Sequence, residues 1–260
     1  MPDKLDQARE QLARANRMIA HEGVLDAFGH VTIRHPTDPG RYLMSVSRAP
    51  ELVQPGDILE FTLDSKPVKP TDIRLYGERV IHGGIYQARP DVNAVCHHHA
   101  ASILPFCVSG VELKPVYHLG ATLGSKVPFW DSRDDFGDTN LIVAKPEEGA
   151  SLARALDEHW IVLMRRHGAT VAGKTLEELV FRTIYTARNA ALQIQAHVLG
   201  NVSPLTATEA ELAGEYNLRA SPISRAWEYW SVRLDKAEGT YRARKANKKS
   251  PGKRKTKARR

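Results

Sequence analysis

The sequence predicts a mixed α/β fold in which a central sheet carries helices. Three observations point there. Short segments rich in β-branched and aromatic residues, separated by Gly/Pro turns, fill the first third of the chain and suit antiparallel pairing. Apolar residues recur at three-to-four spacing at the N-terminus and through the last third, which is the helical period. Strand and helix signals do not alternate regularly, which argues against a doubly wound parallel sheet.

Taken in order, residues 3–22 read as a helix with Leu5, Ala8, Leu12, Ala15, Met18 and Ile19 on one face, Asp3 as N-cap and Gly23 as the stop. Segments 31–34, 42–47 and 57–63 read as strands, the last entered through the Pro55-Gly56 turn. A helix is expected over 74–88. Its internal Gly77, Gly83 and Gly84 each cost about 1 kcal/mol relative to Ala, a cost often tolerated where another backbone or a ligand comes close. Residues 94–100 read as a short buried strand and 100–108 as a helix interrupted by Pro105. The Gly/Pro-rich stretch 110–138 reads as loops with a short strand at 115–119. A helix over 147–159 and a buried strand over 160–164 follow. The long helix 175–199 opens on Thr175 and Glu178, a capping-box pattern, and two more helices cover about 206–217 and 222–236.

The formal net charge of +7 is concentrated at one end. Eleven Lys/Arg and no acid lie within 241–260, and the remainder carries 26 basic against 30 acidic residues. Residues 241–260 therefore read as a basic, disordered tail appended to a catalytic region over 1–240. Such a tail can bind polyanions non-specifically, but it does not name the function, and nucleic acid is not the expected partner. No apolar run approaches the roughly 20 residues needed to cross a bilayer, and the polar N-terminus has no signal-peptide core. Cys96 and Cys107 are too few for a disulfide framework. A cytoplasmic location is the expectation.

The chemistry gathers around Cys96-His97-His98-His99. Side chains alternate along a strand, so His97 and His99 face one side and His98 the other. Two imidazoles side by side are half of a metal site, although by spacing alone they suit hydrogen-bonded core residues equally well. His167, followed by Gly168 at the end of strand 160–164, is the natural third ligand. Three protein ligands leave positions open for substrate. Imidazole donors suit Zn, Mn, Fe or Co without selecting among them. Glu78, with His82 four residues on and on the same helical face, is the candidate acid/base. His30 and His118, each in a Gly-containing loop, are candidate pocket residues.

Glu78-x-x-x-His82, then Ile85-Tyr86-x-x-Arg89-Pro90-Asp91-Val92-x-Ala94-Val95-x-His97-x-His99, then Arg166-His167-Gly168, resembles the class II aldolase/adducin family over about residues 5–235. The resemblance implies a three-layer α/β/α sandwich around a mostly antiparallel sheet. It also implies one divalent metal ion per subunit held by His97, His99 and His167, with Glu78 as catalyst. The expected assembly is a homotetramer with active sites near subunit interfaces. Sugar-phosphate aldolases of the family usually carry Asn where this chain has His30 and a Ser pair where it has Tyr76-Gly77, and fuculose-phosphate aldolases carry a Tyr in the segment where it has Leu119. The Asn and the Ser pair serve phosphate, so their absence argues against a phosphorylated sugar, and the absence of the Tyr weakens an aldol mechanism that uses it as proton donor.

The expected activity is therefore that of the family's decarboxylase branch, acting on a hydroxylated aromatic or pyridine (di)carboxylate. Arg74 or Arg79 is the candidate to bind a second carboxylate, with Arg188 a further one, and His30, His118 and Tyr229 would line the pocket. The alternative is an aldolase or epimerase acting on a sugar or hydroxy acid through the same metal and glutamate. A metal-dependent oxygenase and a non-catalytic adducin-like domain rank below these.

Overall fold

A computed structural model describes residues 3–241; the basic tail, apart from Tyr241, lies outside them. Seven strands form one sheet: β1 (His30–Arg34), β2 (Arg41–Ser45), β3 (Ile58–Thr62), β4 (Ala94–His98), β5 (Phe129–Trp130), β6 (Ile161–Met164) and β7 (Gly168–Gly173). They lie in the order β3-β2-β1-β4-β7-β6-β5. Every neighbouring pair is antiparallel except β5 with β6. β4 sits centrally, with His97 opposite His30 of β1 on one side and Thr170 of β7 on the other.

Strand β7 is absent from the sequence reading. Its sequence, Gly-Ala-Thr-Val-Ala-Gly, has glycine at both ends and reads as loop. Packing explains the glycines. A Cβ on Gly168 would stand 2.3 Å from the His98 carbonyl oxygen, and one on Gly173 would stand 2.8 Å from the Leu179 nitrogen. The strand expected at 115–119 does not form. That stretch leads into a short 3-10 turn, Gly120–Leu123, and side-chain amides of the following long helix serve its backbone instead. Asn189 donates to the Lys114 carbonyl and accepts from Val116 N–H, and Gln193 donates to the Glu112 carbonyl and accepts from Lys114 N–H. With those backbone groups satisfied, no partner strand is needed.

Helices α1 (Lys4–His21), α6 (Leu176–Leu199) and α8 (Ala220–Ala237) cover one face of the sheet, and α2 (Arg79–Ala88) and α5 (Pro146–Leu156) cover the other. Alternation along the strands feeds two separate cores. In β6, Ile161 and Leu163 point to the first and Val162 and Met164 to the second. This is the expected α/β/α sandwich. Short helices α3 (Leu104–Ser109) and α4 (Arg133–Phe136), and the longer α7 (Ala207–Asn217), lie in the connections. Pro105 opens α3 rather than breaking a helix, because the first turn needs no N–H donor there. Thr175 accepts from Glu178 N–H, but the Glu178 carboxylate turns to Arg182 at 2.8 Å, so only half of the expected capping box forms. A complete box closes the start of α7, between Thr206 and Glu209.

The helix expected over 74–88 begins only at Arg79, so Glu78 is its N-cap residue and 74–77 are irregular. Gly83 and Gly84 are inside it for the reason anticipated. A Cβ on Gly84 would meet the backbone of Gly149 in α5 at 2.7 Å, and a Cβ on Gly149 would meet the Val80 carbonyl at 2.3 Å. The two helices cross backbone to backbone on paired glycines. Gly84→Ala should therefore destabilise the protein by about 1–3 kcal/mol through overpacking, read as a lowered urea midpoint. Gly56→Ala, which meets nothing within 4 Å, should leave that midpoint in place. Equal midpoints for the two variants would refute the close crossing.

Candidate metal centre

The centre is assembled where β4 meets the turn between β6 and β7, three strands buried along their whole length. β4 delivers His97, fully buried, on the face covered by α2, and His99 follows just past the strand end on the same side. His98 points into the opposite core, where burial pushes its imidazole pKa down to about 3. His167 comes from the tight turn joining β6 to β7. There Arg166 takes a left-handed φ of +52° and His167 N–H donates to the Met164 carbonyl at 3.1 Å. Gly168 lets this turn close against β4, since a Cβ there would also press on the His99 ring.

The three Nε2 atoms converge. His97 Nε2 lies 3.0 Å from His99 Nε2 and 3.3 Å from His167 Nε2. Glu78, brought over the strands by the start of α2, places its carboxylate 3.6 Å from His97 Nε2 and 3.3 Å from His167 Nε2. The four donor atoms all lie within 4.8 Å of one another. Thr170 Oγ1 lies 3.2 Å from His97 Nδ1 and 3.5 Å from the Met164 sulfur. With its hydroxyl donating to the sulfur, its oxygen accepts from a proton on His97 Nδ1. His97 Nε2 then presents a bare lone pair to its neighbours. Converging lone pairs repel unless a cation lies between them, and the spacings are close to the roughly 3.3–3.4 Å that bonds of about 2.1 Å give at a tetrahedral metal. The donor set fits a divalent ion.

Electrostatics agree with that chemistry. Burial, reinforced by the neighbouring imidazoles, pushes His97 well below the ordinary range, and burial likewise lowers His99 and His167. All three are therefore favoured as neutral donors. Burial works to raise the Glu78 carboxyl. His30 and His167 beside it and the Val143 N–H, at 3.3 Å from Oε1, outweigh that and hold it below the usual carboxylate range. Glu78 therefore rests as a base.

A cavity of about 400 Å³ opens beside Glu78 and His99. Its wall includes Phe28, His30, Arg48, Arg74, Tyr76 and Ile142. Of the pocket residues expected from sequence, His30 and Arg74 are here. His30 opens β1 rather than sitting in a loop, and is almost fully buried. Arg79 is not among the lining residues: its guanidinium donates to the carbonyls of Ser65 at 2.8 Å and Tyr76 at 2.7 Å, so it braces the loop. Arg188 pairs with Glu22 at 2.7 Å, outside the cavity wall. His118 and Tyr229 lie together in a separate cavity, lined also by Tyr185, Tyr216 and Arg225. His82 does not join Glu78, although both were expected on one helical face. Because the helix starts after Glu78, His82 turns into the core and bonds to His30 and Thr32, each at 2.7 Å. Arg48 and Thr170 escape the sequence reading. Arg48 follows β2 in an irregular segment that carries no periodic signal, and Thr170 lies in the unforeseen β7.

Comparison with known proteins is consistent with this geometry. The chain is 34% identical to the decarboxylase tropJ of Talaromyces stipitatus, over 84% of this chain and 90% of that protein. It is 24% identical to a 3,4-dihydroxyphthalate decarboxylase of Arthrobacter keyseri, over 88% of this chain and 95% of the other. Among solved structures, an L-fuculose 1-phosphate aldolase from Glaciozyma antarctica superposes with a TM-score of 0.75 at 20% identity, covering 90% of each chain. The model of the class II aldolase and adducin N-terminal domain matches residues 10–194, and on that match the chain belongs to the class II aldolase and adducin family.

Proposed function

We propose that the protein is a divalent-metal-dependent decarboxylase of a hydroxylated aromatic or pyridine (di)carboxylate. The observation that carries this reading is the convergence of three histidine Nε2 atoms with the Glu78 carboxylate beside a cavity walled by two arginines and aromatic rings. The named activities of the two curated relatives support the decarboxylase branch over the aldolase branch.

His97, His99 and His167 would hold the ion. Bound there, it would act as a Lewis acid toward substrate oxygens and withdraw electron density as the carbon–carboxylate bond breaks. Glu78, held as carboxylate, takes the proton of the substrate hydroxyl. When CO2 departs, the bonding pair stays on the ring carbon, and Glu78 returns its proton to that carbon. The product oxygen then recovers a proton from solvent. Arg74 and Arg48 line the same cavity, and a guanidinium fork matches a second carboxylate. Arg48 shares its charge with Asp57 at 3.3 Å, which makes Arg74 the stronger candidate. Tyr76 and Phe28 offer flat apolar surface for a ring. A tetramer with this site near a subunit interface is part of the proposal. Phe28 and Ile142, both well exposed on the cavity wall, support a covering partner there. Among the described residues no helix is long and apolar enough to cross a membrane.

His97→Ala should abolish stoichiometric metal, measured by elemental analysis of untagged protein, together with CO2 release from ortho-hydroxy aromatic acids. Glu78→Gln should keep the metal while kcat falls about 100-fold or more; full turnover in that variant would exclude the acid/base role. Arg74→Met should raise KM for a dicarboxylate about tenfold, the scale of a lost charged hydrogen bond, and leave the matching monocarboxylate unchanged. Metal bound without CO2 from any such acid, but with aldehyde released from a hydroxy acid, would favour aldol cleavage.

A further inference from the structure

A buried polar chain runs from Glu78 into the core on the α2 side of the sheet. His30 Nε2 stands 3.8 Å from Glu78 Oε2. His30 Nδ1 lies 2.7 Å from His82 Nε2, His82 Nδ1 lies 2.7 Å from Thr32 Oγ1, and Thr32 Oγ1 lies 2.8 Å from the Tyr86 hydroxyl. His30, Thr32, His82 and Tyr86 are all almost fully buried. The chain therefore has to satisfy itself, because an unpaired buried donor is costly.

Proton counting leaves one consistent direction. Burial keeps His82 neutral, so it has a single N–H. If that proton sat on Nδ1, it would donate to Thr32, whose hydroxyl would donate to Tyr86. The Tyr86 hydroxyl would then be left without an acceptor, since Thr32 is its one hydrogen-bond partner among the described residues. His30 Nδ1–H would have to donate to His82, and a neutral His30 would turn a bare Nε2 toward the Glu78 carboxylate. The opposite direction gives Tyr86, Thr32 and His82 each an acceptor and leaves the His30 Nε2–H facing the carboxylate. Tyr86 O–H donates to Thr32 Oγ1, Thr32 O–H to His82 Nδ1, His82 Nε2–H to His30 Nδ1, and His30 Nε2–H points at Glu78 Oε2.

We propose that His30 and His82 are positioning residues: the chain Tyr86–Thr32–His82 locks His30 as its Nε2–H tautomer, and His30 thereby holds and orients the Glu78 carboxylate. At 3.8 Å the last contact is longer than a hydrogen bond, and contacts of this kind tighten when substrate closes the site. The tautomer is opposite to the one that metal binding through Nε2 asks of His97, with its proton on Nδ1 toward Thr170. One buried wall thus presents a donor to the acid/base and a lone pair to the metal position. The kinetic consequence rests on the decarboxylase reading, but the tautomer does not.

Two measurements test the chain. Neutron diffraction from crystals of the deuterated protein should place deuterium on Nε2 of both His30 and His82; deuterium on His30 Nδ1 would overturn the proposal. In kinetics, His82→Leu should lower kcat about 10- to 100-fold, the usual cost of losing an outer orienting group, with KM and metal content held within twofold. His82→Gln, whose amide can donate toward His30 and accept from Thr32, should recover most of the loss. Equal impairment in both variants would reduce His82 to a packing residue and sink the idea. Should the wild-type protein release no CO2 from any hydroxy acid, the assigned reaction fails, and the deuterium positions still decide the chain.

Discussion

The site depends on the pairing register of one central strand. β4 is hydrogen-bonded on both sides, and its register sets His30, His97 and Thr170 in one row across three strands. A slip of one residue would turn every β4 side chain to the other face. It would send His97 to the face where His98 now lies, away from His167 and Glu78. Pairing on two edges, with apolar cores on both faces, leaves no low-cost alternative register. The geometry of the imidazoles is therefore a property of the whole sheet rather than of a local loop.

Much of the centre is legible in the sequence because chemistry and periodicity coincide. His97 and His99 carry metal-binding groups at the period of a strand, and the order of motifs adds His167 and Glu78. What is hidden is hidden for physical reasons. β7 is built from small residues suited to close approach to β4 and α6, which gives it no strand-like signature. Arg79 has the chemistry to bind a substrate carboxylate, but two backbone carbonyls in an irregular loop take its donors. His118 and Tyr229 are ring-bearing residues of a real cavity, only not the one beside Glu78. The partnership of His30 with His82 is masked by a helix that starts several residues later than its pattern suggests, which rotates His82 away from Glu78.

Burial is used in two ways around the same wall. It strips charge from the imidazoles, so that they are donors of lone pairs rather than cations. It also surrounds Glu78 with oriented dipoles and imidazoles that keep the carboxylate charged despite the low-polarity setting. A buried polar network of this kind is stable only if each member finds its partner. Thr32 and Thr170, both fully buried, meet that need on two strands, each setting its hydroxyl against a histidine Nδ1 and a second partner.

The crossing of α2 and α5 on Gly84 and Gly149 carries a further implication. Glu78 sits immediately before α2, so the height of its carboxylate above the sheet is set by how deeply that helix can seat. The depth is governed by a glycine in a helix far along the chain and outside the cavity wall. The mutational freedom of position 149 is thus bounded by the alignment of a carboxylate it never touches. Drift at the two glycines should be coupled, with any enlargement at one requiring the helices to part and Glu78 to lift with them.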